Sequence, residues 1–253
     1  MHTGNRRDLI LEWLKRDGQV QVRELVEQFG VSEMTIRRDL EHLACEGLLV
    51  RTYGGAMPSA GLTREQPYAA KAVEHTTEKE RIARQAAQLV RDGDVVLLDA
   101  GSSTAALARA LHGHRDLTVV TIDLKIALEL CDEPGIRVLV TGGTAQPEGY
   151  NLYGPLAEQT LRCLTVDYAF LGTSSVDIQQ GVTTPTLDKV PLKQAMLRAA
   201  RRSVLLADSD KFGRRSPFQI CPLSAIHHII TDDGLQGDLA RAIRKEGITL
   251  ELV

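Results

Sequence analysis

The residues best suited to recognition chemistry lie close together near the start of the chain: Ser32, Thr35, Arg37, Arg38 and, a little further on, Arg51. The planar guanidinium of arginine can bind a guanine edge or a phosphate with two parallel hydrogen bonds. Serine and threonine hydroxyls can bind phosphates or cap the start of a helix. Residues of these types at this spacing are typical of a surface that contacts double-stranded DNA.

Two short amphipathic helices are expected to position these residues. The apolar residues of the first recur at helical spacing: Val22, Leu25, Val26 and Phe29. Those of the second share one face: Ile36, Leu40 and Leu43. Between the helices, Gly30 suits a left-handed C-terminal cap and Ser32 suits an N-cap. At roughly 100° per residue, Arg38 points away from the buried face of the second helix, and Thr35 and Arg37 flank that face.

Further elements complete a small domain around these helices. An upstream helix over residues 6–16 supplies an apolar face: Leu9, Ile10, Trp13 and Leu14. Gly47 is expected to end the second helix, and residues 48–52 form a strand that turns at Gly54 and Gly55. This order predicts a winged helix-turn-helix over residues 1–57, whose second helix enters a DNA groove.

Net charge neither supports nor excludes DNA binding by this domain. Residues 1–57 hold 8 Lys+Arg and 9 Asp+Glu, so attraction to DNA must come from local clustering of the arginines. The alternative is a small helical domain whose adjacent arginines form an ordinary solvated face. The caps, the turn, the outward arginines and the ribbon agree with one another, which favours DNA binding.

Two stretches carry a resemblance to a known family. Residues 29–40 read Phe-Gly-Val-Ser-Glu-Met-Thr-Ile-Arg-Arg-Asp-Leu, and residues 51–56 read Arg-Thr-Tyr-Gly-Gly-Ala. This region resembles the N-terminal domain of the DeoR family. The resemblance implies a bacterial transcription regulator, most commonly a repressor of a carbohydrate-use operon.

The composition of the 253-residue chain is ordinary for a soluble protein, with 43% hydrophobic residues, 25% charged residues and a net charge of −3. No apolar run approaches the ~20 residues that a membrane helix needs, and the N-terminus lacks the apolar core of a secretory signal. The four cysteines and seven histidines show no metal-ligand spacing. We therefore expect a cytoplasmic protein with no membrane contact, no metal site and no cofactor.

The rest of the chain predicts a second domain. Residues 58–75 contain Pro58, Gly61 and Pro67 without a clear period, which is typical of a linker. From residue 76 onward, helical segments alternate with short apolar strands over residues 95–98, 117–121, 136–140, 168–171, 204–207 and 226–231. The fold class is therefore α/β, with a winged helix-turn-helix followed by an open, mainly parallel sheet over residues 76–253 for ligand sensing and oligomerisation.

Polar loops follow several of these strands, and ligands of such sheets bind beyond the carboxyl ends of the strands. The first loop holds these candidates just before a helix: Asp99, Gly101, Ser102, Ser103 and Thr104. The free N–H groups and partial positive charge of a helix N-terminus favour an anion such as phosphate. An ordinary serine-capped turn explains the same residues equally well.

Further candidates for ligand contacts lie in later loops: Gly142 and Gly143, Gly172 and Thr173, and Asp208 and Lys211. The first two pairs are also typical of plain turns. Lys211 can balance the charge of an anionic ligand. Lys193 lies near the start of a helix, where it either contacts the ligand or pairs with a carboxylate such as Asp188.

This second region resembles the DeoR-family sensor domain at residues 98–104, 118–121, 167–172 and 207–213. That domain is related to sugar-phosphate isomerases and coenzyme A transferases, so the resemblance implies a phosphorylated sugar or a related metabolite as effector. Two positions depart from the family pattern. Ile122 replaces a common asparagine, and Lys189 replaces an acidic residue four positions before Lys193, which leaves the identity of the effector open.

Several functions are compatible with these interpretations. The first is an effector-controlled regulator that binds operator DNA as a homo-oligomer, a dimer or tetramer, because helix-turn-helix proteins generally bind paired half-sites. The second is an isomerase-like enzyme with a DNA-binding appendage, in which Asp99 or Asp167 would be the carboxylate base. The third is an activator, or an architectural DNA binder without an effector. We expect the regulator, with repression relieved by the effector and no catalytic residues.

Overall fold

The computed structural model describes residues 3–17, 19–45, 49–52, 54–58, 68–147 and 149–253. The chain divides into two compact units, Met1–Glu65 and Gln66–Val253. The division falls within residues 58–75, which were predicted as a linker; residues 59–67 lie outside the described parts, but Tyr68–Val73 form a helix that belongs to the second unit. Among the described residues, no helix has the length and apolar character needed to cross a bilayer.

The described part of the N-terminal unit has three helices and three strands. They are α1 (Thr3–Asp17), β1 (Val20–Gln21), α2 (Val22–Phe29), α3 (Glu33–Cys45), β2 (Leu49–Thr52) and β3 (Gly55–Pro58). The strands form one antiparallel sheet in the order β1-β3-β2. The predicted winged helix-turn-helix is confirmed, although β1 was not expected. The predicted end of α3 at Gly47 lies outside the described residues.

Local signals explain these N-terminal elements. Gly30 ends α2 in a left-handed conformation with φ 62°, and its N–H donates to the carbonyl of Val26 at 2.9 Å. The core joins apolar residues from all three helices and the sheet: Ile10, Leu14, Val20, Val22, Leu25, Ile36, Leu40, Leu43, Leu49 and Ala56. Leu9 and Trp13 are only half-buried, so the upstream helix contributes fewer core residues than predicted.

The described part of the C-terminal unit contains seven α-helices, two 3₁₀ helices of three residues each and twelve strands. The helices are α4 (Tyr68–Val73), α5 (Thr76–Ala87), α6 (Ser102–Ala110), α7 (Leu124–Leu130), α8 (Pro155–Arg162), α9 (Lys189–Ala199) and α10 (Gly237–Lys245). The strands are β4 (Val95–Leu98), β5 (Leu117–Thr121), β6 (Ile136–Val140), β7 (Thr144–Ala145), β8 (Leu152–Tyr153), β9 (Val166–Gly172), β10 (Ser175–Asp177), β11 (Gly181–Thr184), β12 (Ala200–Leu206), β13 (Phe218–Cys221), β14 (His228–Thr231) and β15 (Thr249–Leu252).

Seven of these strands form one parallel sheet in the order β15-β14-β12-β9-β4-β5-β6. The predicted α/β class is confirmed. The structure adds β15 at one edge, a second sheet in the order β10-β11-β13, and the pair β7-β8. These added strands are only two to four residues long, so periodicity gives little signal for them.

Helices cover both faces of the parallel sheet, which makes its strands apolar throughout. Val96, Leu98 and Val119 belong to a core with residues of α5, α6 and α7. Leu97 and Val120 point the other way, into a core with residues of α8, α9 and α10. Strand order reverses between β4 and β9, because the chain proceeds from β4 to β6 on one side and returns on the other. Crevices at such reversals are where ligands of open α/β sheets bind.

Candidate DNA-binding face and effector site

The outward side of α3 begins at a hydroxyl cap. Ser32 Oγ accepts the N–H of Thr35 at 3.2 Å, and the carbonyl of Ser32 accepts the N–H of Ile36 at 3.2 Å. The hydroxyls of Ser32 and Thr35 lie 2.9 Å apart. Ser32 is exposed, Thr35 is half-buried and Ile36 is fully buried. The predicted N-cap therefore fixes the start of the helix and orients its two faces.

Two arginines extend from this outward side. Arg37 Nη2 lies 2.6 Å from Glu33 Oε1 one turn earlier, and both side chains are more than half exposed. Arg38 is exposed, and within the described part of the chain it has neither an ion-pair partner nor a hydrogen bond. An exposed i,i+4 ion pair is weak, so a phosphate can compete for Arg37, and Arg38 can bind a ligand without breaking any contact.

Arg51 lies on β2 and contacts the helix. Its Nη1 donates to the backbone carbonyl of Arg37 at 3.0 Å, while its Nε is buried without a hydrogen-bond partner among the described residues. The side chain is half-buried. Arg51 therefore joins the wing to the middle of α3, and its role as a DNA contact stays a prediction.

A buried ion-pair network behind α3 was missed by the sequence analysis. Arg6 Nε donates to Asp39 Oδ2 at 2.6 Å, and Arg7 Nε donates to Asp39 Oδ1 at 3.0 Å. Asp39 is 2% exposed, so both its oxygens are satisfied away from water. One signal in the sequence was the position of Asp39, three residues after Ile36 on the buried face. The network fixes α3 against α1. Because Asp39 faces inward, the preceding residue, Arg38, faces outward.

Asp99, Gly172 and Lys193, three of the candidate effector residues, meet at the strand-order reversal. Asp99 follows β4 and is 1% exposed. Its Oδ1 accepts the N–H of Ala100 at 2.8 Å, and its Oδ2 accepts the N–H of Gly172 at 3.0 Å. Asp99 and Gly172, which come from neighbouring strands, are thus brought together as the parallel topology requires. Asp99 holds the two loops in place through these contacts.

Lys193 completes this buried cluster. Its ammonium donates to Asp99 Oδ2 and to the carbonyl of Gly172 at 2.7 Å. Lys193 pairs with a carboxylate, as one of the two predicted alternatives has it, but the partner is Asp99 and not Asp188, which is exposed just before α9 while Lys193 faces inward, 7% exposed. Lys193 lies one turn into α9, on the side that packs against the sheet. Its ammonium therefore neutralises a buried carboxylate beneath the loops.

The loop after β4 leads into α6 through Gly101. Gly101 has φ 144°, and its N–H donates to Asp123 Oδ2 at 3.2 Å. Thr104 is buried and its Oγ1 donates to the carbonyl of Gly101 at 3.0 Å. Ser102 and Ser103 are half-buried in the first turn. The hydroxyl of Thr104 is therefore occupied within the loop, and the serines remain the better placed candidates for a ligand.

Asp123 belongs to this site although sequence analysis gave it no role. It is fully buried, and its Oδ1 caps α7 by accepting the N–H groups of Lys125 at 2.8 Å and Ile126 at 3.3 Å. Burial raises the pKa of the Asp123 carboxyl, and the nearby Asp99 raises it further. The helix cap and the loop contact oppose that rise, so Asp123 serves to fix Gly101 and α7.

Three further candidates make local structural contacts. Thr173 Oγ1 donates to the carbonyls of Ser175 and Thr183 at 3.1 and 3.2 Å. Gly142 and Gly143 turn the chain after β6, and a Cβ on Gly143 would lie 2.6 Å from the carbonyl oxygen of Tyr153. Positive φ angles at both glycines, 75° and 114°, together with the close backbone approach at Gly143, explain this pair without a ligand.

The loop after β12 carries Asp208 and Lys211 beside a buried lysine. Lys211 Nζ lies 3.8 Å from Asp208 Oδ2, beyond hydrogen-bond distance. Lys79 donates to the carbonyls of Lys71 and Glu74 at 2.5 Å each, and burial lowers the pKa of its ammonium, which the carboxylate of Asp208 partly offsets. Asp208 and Lys79 are both buried, whereas Lys211 is half-buried and reaches solvent.

Asp167 lies at the amino ends of the central strands, opposite the loops that hold the candidate effector residues. Its Oδ2 accepts the N–H of Val95 at the start of β4 at 3.0 Å, and its Oδ1 lies 3.1 Å from Arg201 Nη1. Asp167 is therefore an amino-end residue and does not face the loops after the strands. The expectation that Asp167 could act as a base in that pocket is wrong.

A winged helix-turn-helix joined to an α/β sheet with polar loops at its reversal point defines the class of ligand-sensing transcription regulators. The family description "DeoR-like helix-turn-helix domain" matches residues 6–59, and "DeoR C terminal sensor domain" matches residues 74–233. The chain belongs to the DeoR family of transcriptional regulators.

Relatives of known name align along the whole chain. The HTH-type transcriptional regulator GlpR of Haloferax volcanii is 36% identical over 250 residues, covering 99% of this chain and 98% of the relative. The glycerol-3-phosphate regulon repressor of Escherichia coli K12 is 31% identical over 253 residues, covering 100% of both. Among solved structures, ribose 5-phosphate isomerase A of Methanocaldococcus jannaschii is 19% identical, covers 53% of each chain and gives a TM-score of 0.39. That distant likeness carries no information about activity.

Proposed function

We propose that this protein is a transcriptional repressor of a carbohydrate-use operon and that a phosphorylated sugar controls its affinity for the operator. The observation that carries the proposal is the division of α3 into two faces. Ile36, Leu40 and Leu43 are buried, while Arg37 and Arg38 extend from the opposite side of the same helix. A helix held in this way is suited to entering a major groove with its first turns.

The DNA contacts are assigned to the outward residues Ser32, Thr35, Arg37, Arg38 and Arg51. Arg38 is the first candidate for reading a base, because its guanidinium is exposed and uncommitted in the described structure. Arg37 and the hydroxyls at the helix start are candidates for phosphate contacts, which set the position on the duplex. Arg51 holds the ribbon against α3 by donating a hydrogen bond to the carbonyl of Arg37.

The effector is assigned to the carboxyl ends of β4, β9 and β12. The first turn of α6 offers N–H groups and a partial positive charge for a phosphate, with the hydroxyls of Ser102 and Ser103 beside it. Lys211 supplies a half-buried cation, and Asp208 supplies carboxylate oxygens that can accept sugar hydroxyls. A relative at 31% identity is a glycerol-3-phosphate regulon repressor, which supports a phosphorylated effector.

An isomerase reaction is less well supported by the same geometry. Proton abstraction needs a carboxylate free to approach a substrate carbon. Both oxygens of Asp99 already accept hydrogen bonds, and Asp167 lies at the amino ends of the strands, away from the proposed effector site. Incubation with pentose and hexose phosphates in deuterated water is expected to give no exchange at the substrate carbon. Exchange at an enzymatic rate would favour the isomerase.

Control of DNA binding requires that the effector prefer one of two arrangements of the protein. Linkage then demands that operator DNA reduce effector affinity by the same factor that effector reduces operator affinity. We propose that the protein acts as a homo-oligomer, a dimer or tetramer, so that two helix-turn-helix units meet paired half-sites. Sedimentation of the full-length chain with and without operator DNA measures this state.

The decisive experiment uses the full-length protein and fragments of the genome that encodes it. Bound fragments are recovered, sequenced and footprinted, and the complexes are then exposed to a panel of phosphorylated sugars. We expect a protected site upstream of carbohydrate-use genes and release by one of the sugars. A thermal shift with the same sugar, without DNA, tests effector binding separately. Random recovery of fragments without a protected site would contradict the proposal.

A further inference from the structure

We infer that His75, Asp208 and Asp210 form a binding site for a divalent transition-metal ion. One potential ligand atom from each residue lies within 4.8 Å of the other two. His75 precedes α5, whereas both aspartates lie in the loop after β12, so only the fold brings them together. No metal site was predicted from the sequence, because His75 lies far from both aspartates in the chain.

The spacing of these atoms suits a coordination sphere. Two ligands that bind one ion at about 2.1 Å are about 3.0 Å apart in an octahedral site and about 3.4 Å apart in a tetrahedral one. His75 Nε2 lies 2.9 Å from Asp210 Oδ2, which matches the octahedral spacing. The Asp208 carboxylate lies within 4.8 Å of both atoms, so a small side-chain movement brings it into the same sphere. An ion pair between His75 and Asp210 alone would not explain why the Asp208 carboxylate lies beside them.

Asp208 gives the strongest independent indication that something is bound here. It is 1% exposed, and both its carboxylate oxygens lack a hydrogen-bond partner among the described residues. A buried carboxylate without hydrogen bonds is costly unless an ion or ligand compensates it. A cation shared with His75 and Asp210 would bind one of these oxygens, which leaves the other oxygen for the sugar hydroxyl assigned above.

The cationic side chains nearby do not replace a metal ion. Lys211 Nζ is 3.8 Å from Asp208 Oδ2, and Arg214 Nη2 is 3.8 Å from Asp210 Oδ2, both beyond hydrogen-bond distance. The ammonium of Lys79 is already bound by two backbone carbonyls. The two carboxylates therefore retain lone pairs for a metal, although the neighbouring positive charges will reduce its affinity.

The donor set indicates which ions fit. Imidazole nitrogen favours zinc and its neighbours in the first transition row, while carboxylate oxygen also suits manganese. Two carboxylates and one neutral imidazole give a net charge that balances a divalent ion. Asp210 is exposed and His75 is partly exposed, which gives an ion a route from solvent to the buried Asp208. Zn²⁺ and Mn²⁺ are therefore the expected ions, with Mg²⁺ binding more weakly.

The test is calorimetric titration of chelator-treated full-length protein with ZnCl₂, MnCl₂ and MgCl₂, without DNA or any sugar. We expect one Zn²⁺ or Mn²⁺ per chain. His75→Asn and Asp210→Asn are each expected to weaken binding by about tenfold or more. Asparagine tolerates the left-handed backbone of His75, which has φ 50°.

Matched controls separate the site from ordinary surface binding. His112 is a similarly exposed histidine beside two carboxylates, and Asp238 is an exposed aspartate paired with an arginine on its own helix. His112→Asn and Asp238→Asn are expected to leave the affinity unchanged. Equal loss in controls and site variants, or no binding of either transition ion to the wild type, would overturn the inference. Because no DNA or sugar is present, neither result depends on the proposed repressor function.

Discussion

Lys193 and Asp99 form a buried ion pair beneath the loops at the strand-order reversal. The lysine ammonium contacts the Asp99 carboxylate and donates to the carbonyl of Gly172 at 2.7 Å, so it joins α9 to the ends of β4 and β9. Both side chains are at least nine-tenths buried. A pair of this kind adds little to stability relative to an apolar pair, but the loss of one partner leaves an uncompensated charge.

Lys193→Met is therefore expected to destabilise the protein by about 3–5 kcal/mol, because the Asp99 carboxylate loses its counter-ion inside the fold. Urea unfolding followed by circular dichroism measures the change. Lys245→Met, at an exposed position on α10, is the control and should shift the free energy of unfolding by less than about 0.5 kcal/mol. Similar values for the two variants would show that the pair is not buried as described.

Asp39→Asn removes the negative charge that Arg6 and Arg7 share behind α3. Because Arg6 and Asp39 are both buried, we expect a loss of about 3–5 kcal/mol in the stability of the N-terminal unit. Hydrogen exchange of the full-length protein can detect this as faster exchange in α1 and α3. Asp17→Asn, in the exposed pair with Arg16, should leave exchange in those helices unchanged.

Arg38→Ala is expected to weaken operator binding by about 1–3 kcal/mol if the guanidinium reads a base, and to relax sequence preference at one position. Fluorescence anisotropy at fixed salt, on the footprinted site and on single-base variants, measures both effects. Arg16→Ala serves as a control, since Arg16 is an exposed arginine of α1 that pairs with the adjacent Asp17. An affinity equal to that of the wild type would remove Arg38 from the DNA interface.

Lys211→Ala is expected to abolish the effector response while operator binding survives. The lysine is the half-buried cation of the loop after β12, and its loss removes the charge proposed to bind the phosphate. Anisotropy of the operator complex during titration with the identified sugar phosphate gives the response curve. Lys245→Ala, outside the proposed pocket, should preserve the curve. A normal response in Lys211→Ala would exclude this assignment.

Cys221 is expected to resist alkylation in the folded protein. Burial raises the pKa of its thiol to about 11, so about one thiol in a thousand is ionised at pH 8. Cys131 and Cys163 are exposed free thiols and should react first. Mass spectrometry after a short iodoacetamide treatment distinguishes them, with urea-unfolded protein as the fully reactive control. Rapid labelling of Cys221 would contradict its burial.

Sequence alone predicted those parts of the structure that depend on neighbouring residues. Gly30 and Ser32 define the corner between α2 and α3 because a left-handed cap and a hydroxyl cap are local requirements. The alternation of strands and helices after residue 76 likewise follows from local periodicity. The two-residue strand β1 was missed because two residues carry no measurable period.

Contacts between residues far apart in the chain were not predictable in the same way. Asp99 meets Lys193, and Asp39 meets Arg6, only after helices and strands have packed. Asp167 was considered as a base because it lies near a strand end, but it lies at the amino end, next to the predicted start at residue 168 and to the actual start of β9 at Val166. The candidate metal ligands illustrate the same limit, since His75 lies far from the two aspartates in sequence.

The pairing of β1 with β3 restricts how the N-terminal unit can read a duplex. Val20 pairs with Ala56, and a Cβ on Gly55 would lie 2.0 Å from the carbonyl oxygen of Val20, so the ribbon is held tightly against the strand that leads into α2. If the ribbon and α3 both contact the operator, as proposed, the distance between their two contacts is fixed. One inserted base pair turns the downstream groove by about 34°. Half-sites lengthened by a single base pair should therefore lose one set of contacts entirely.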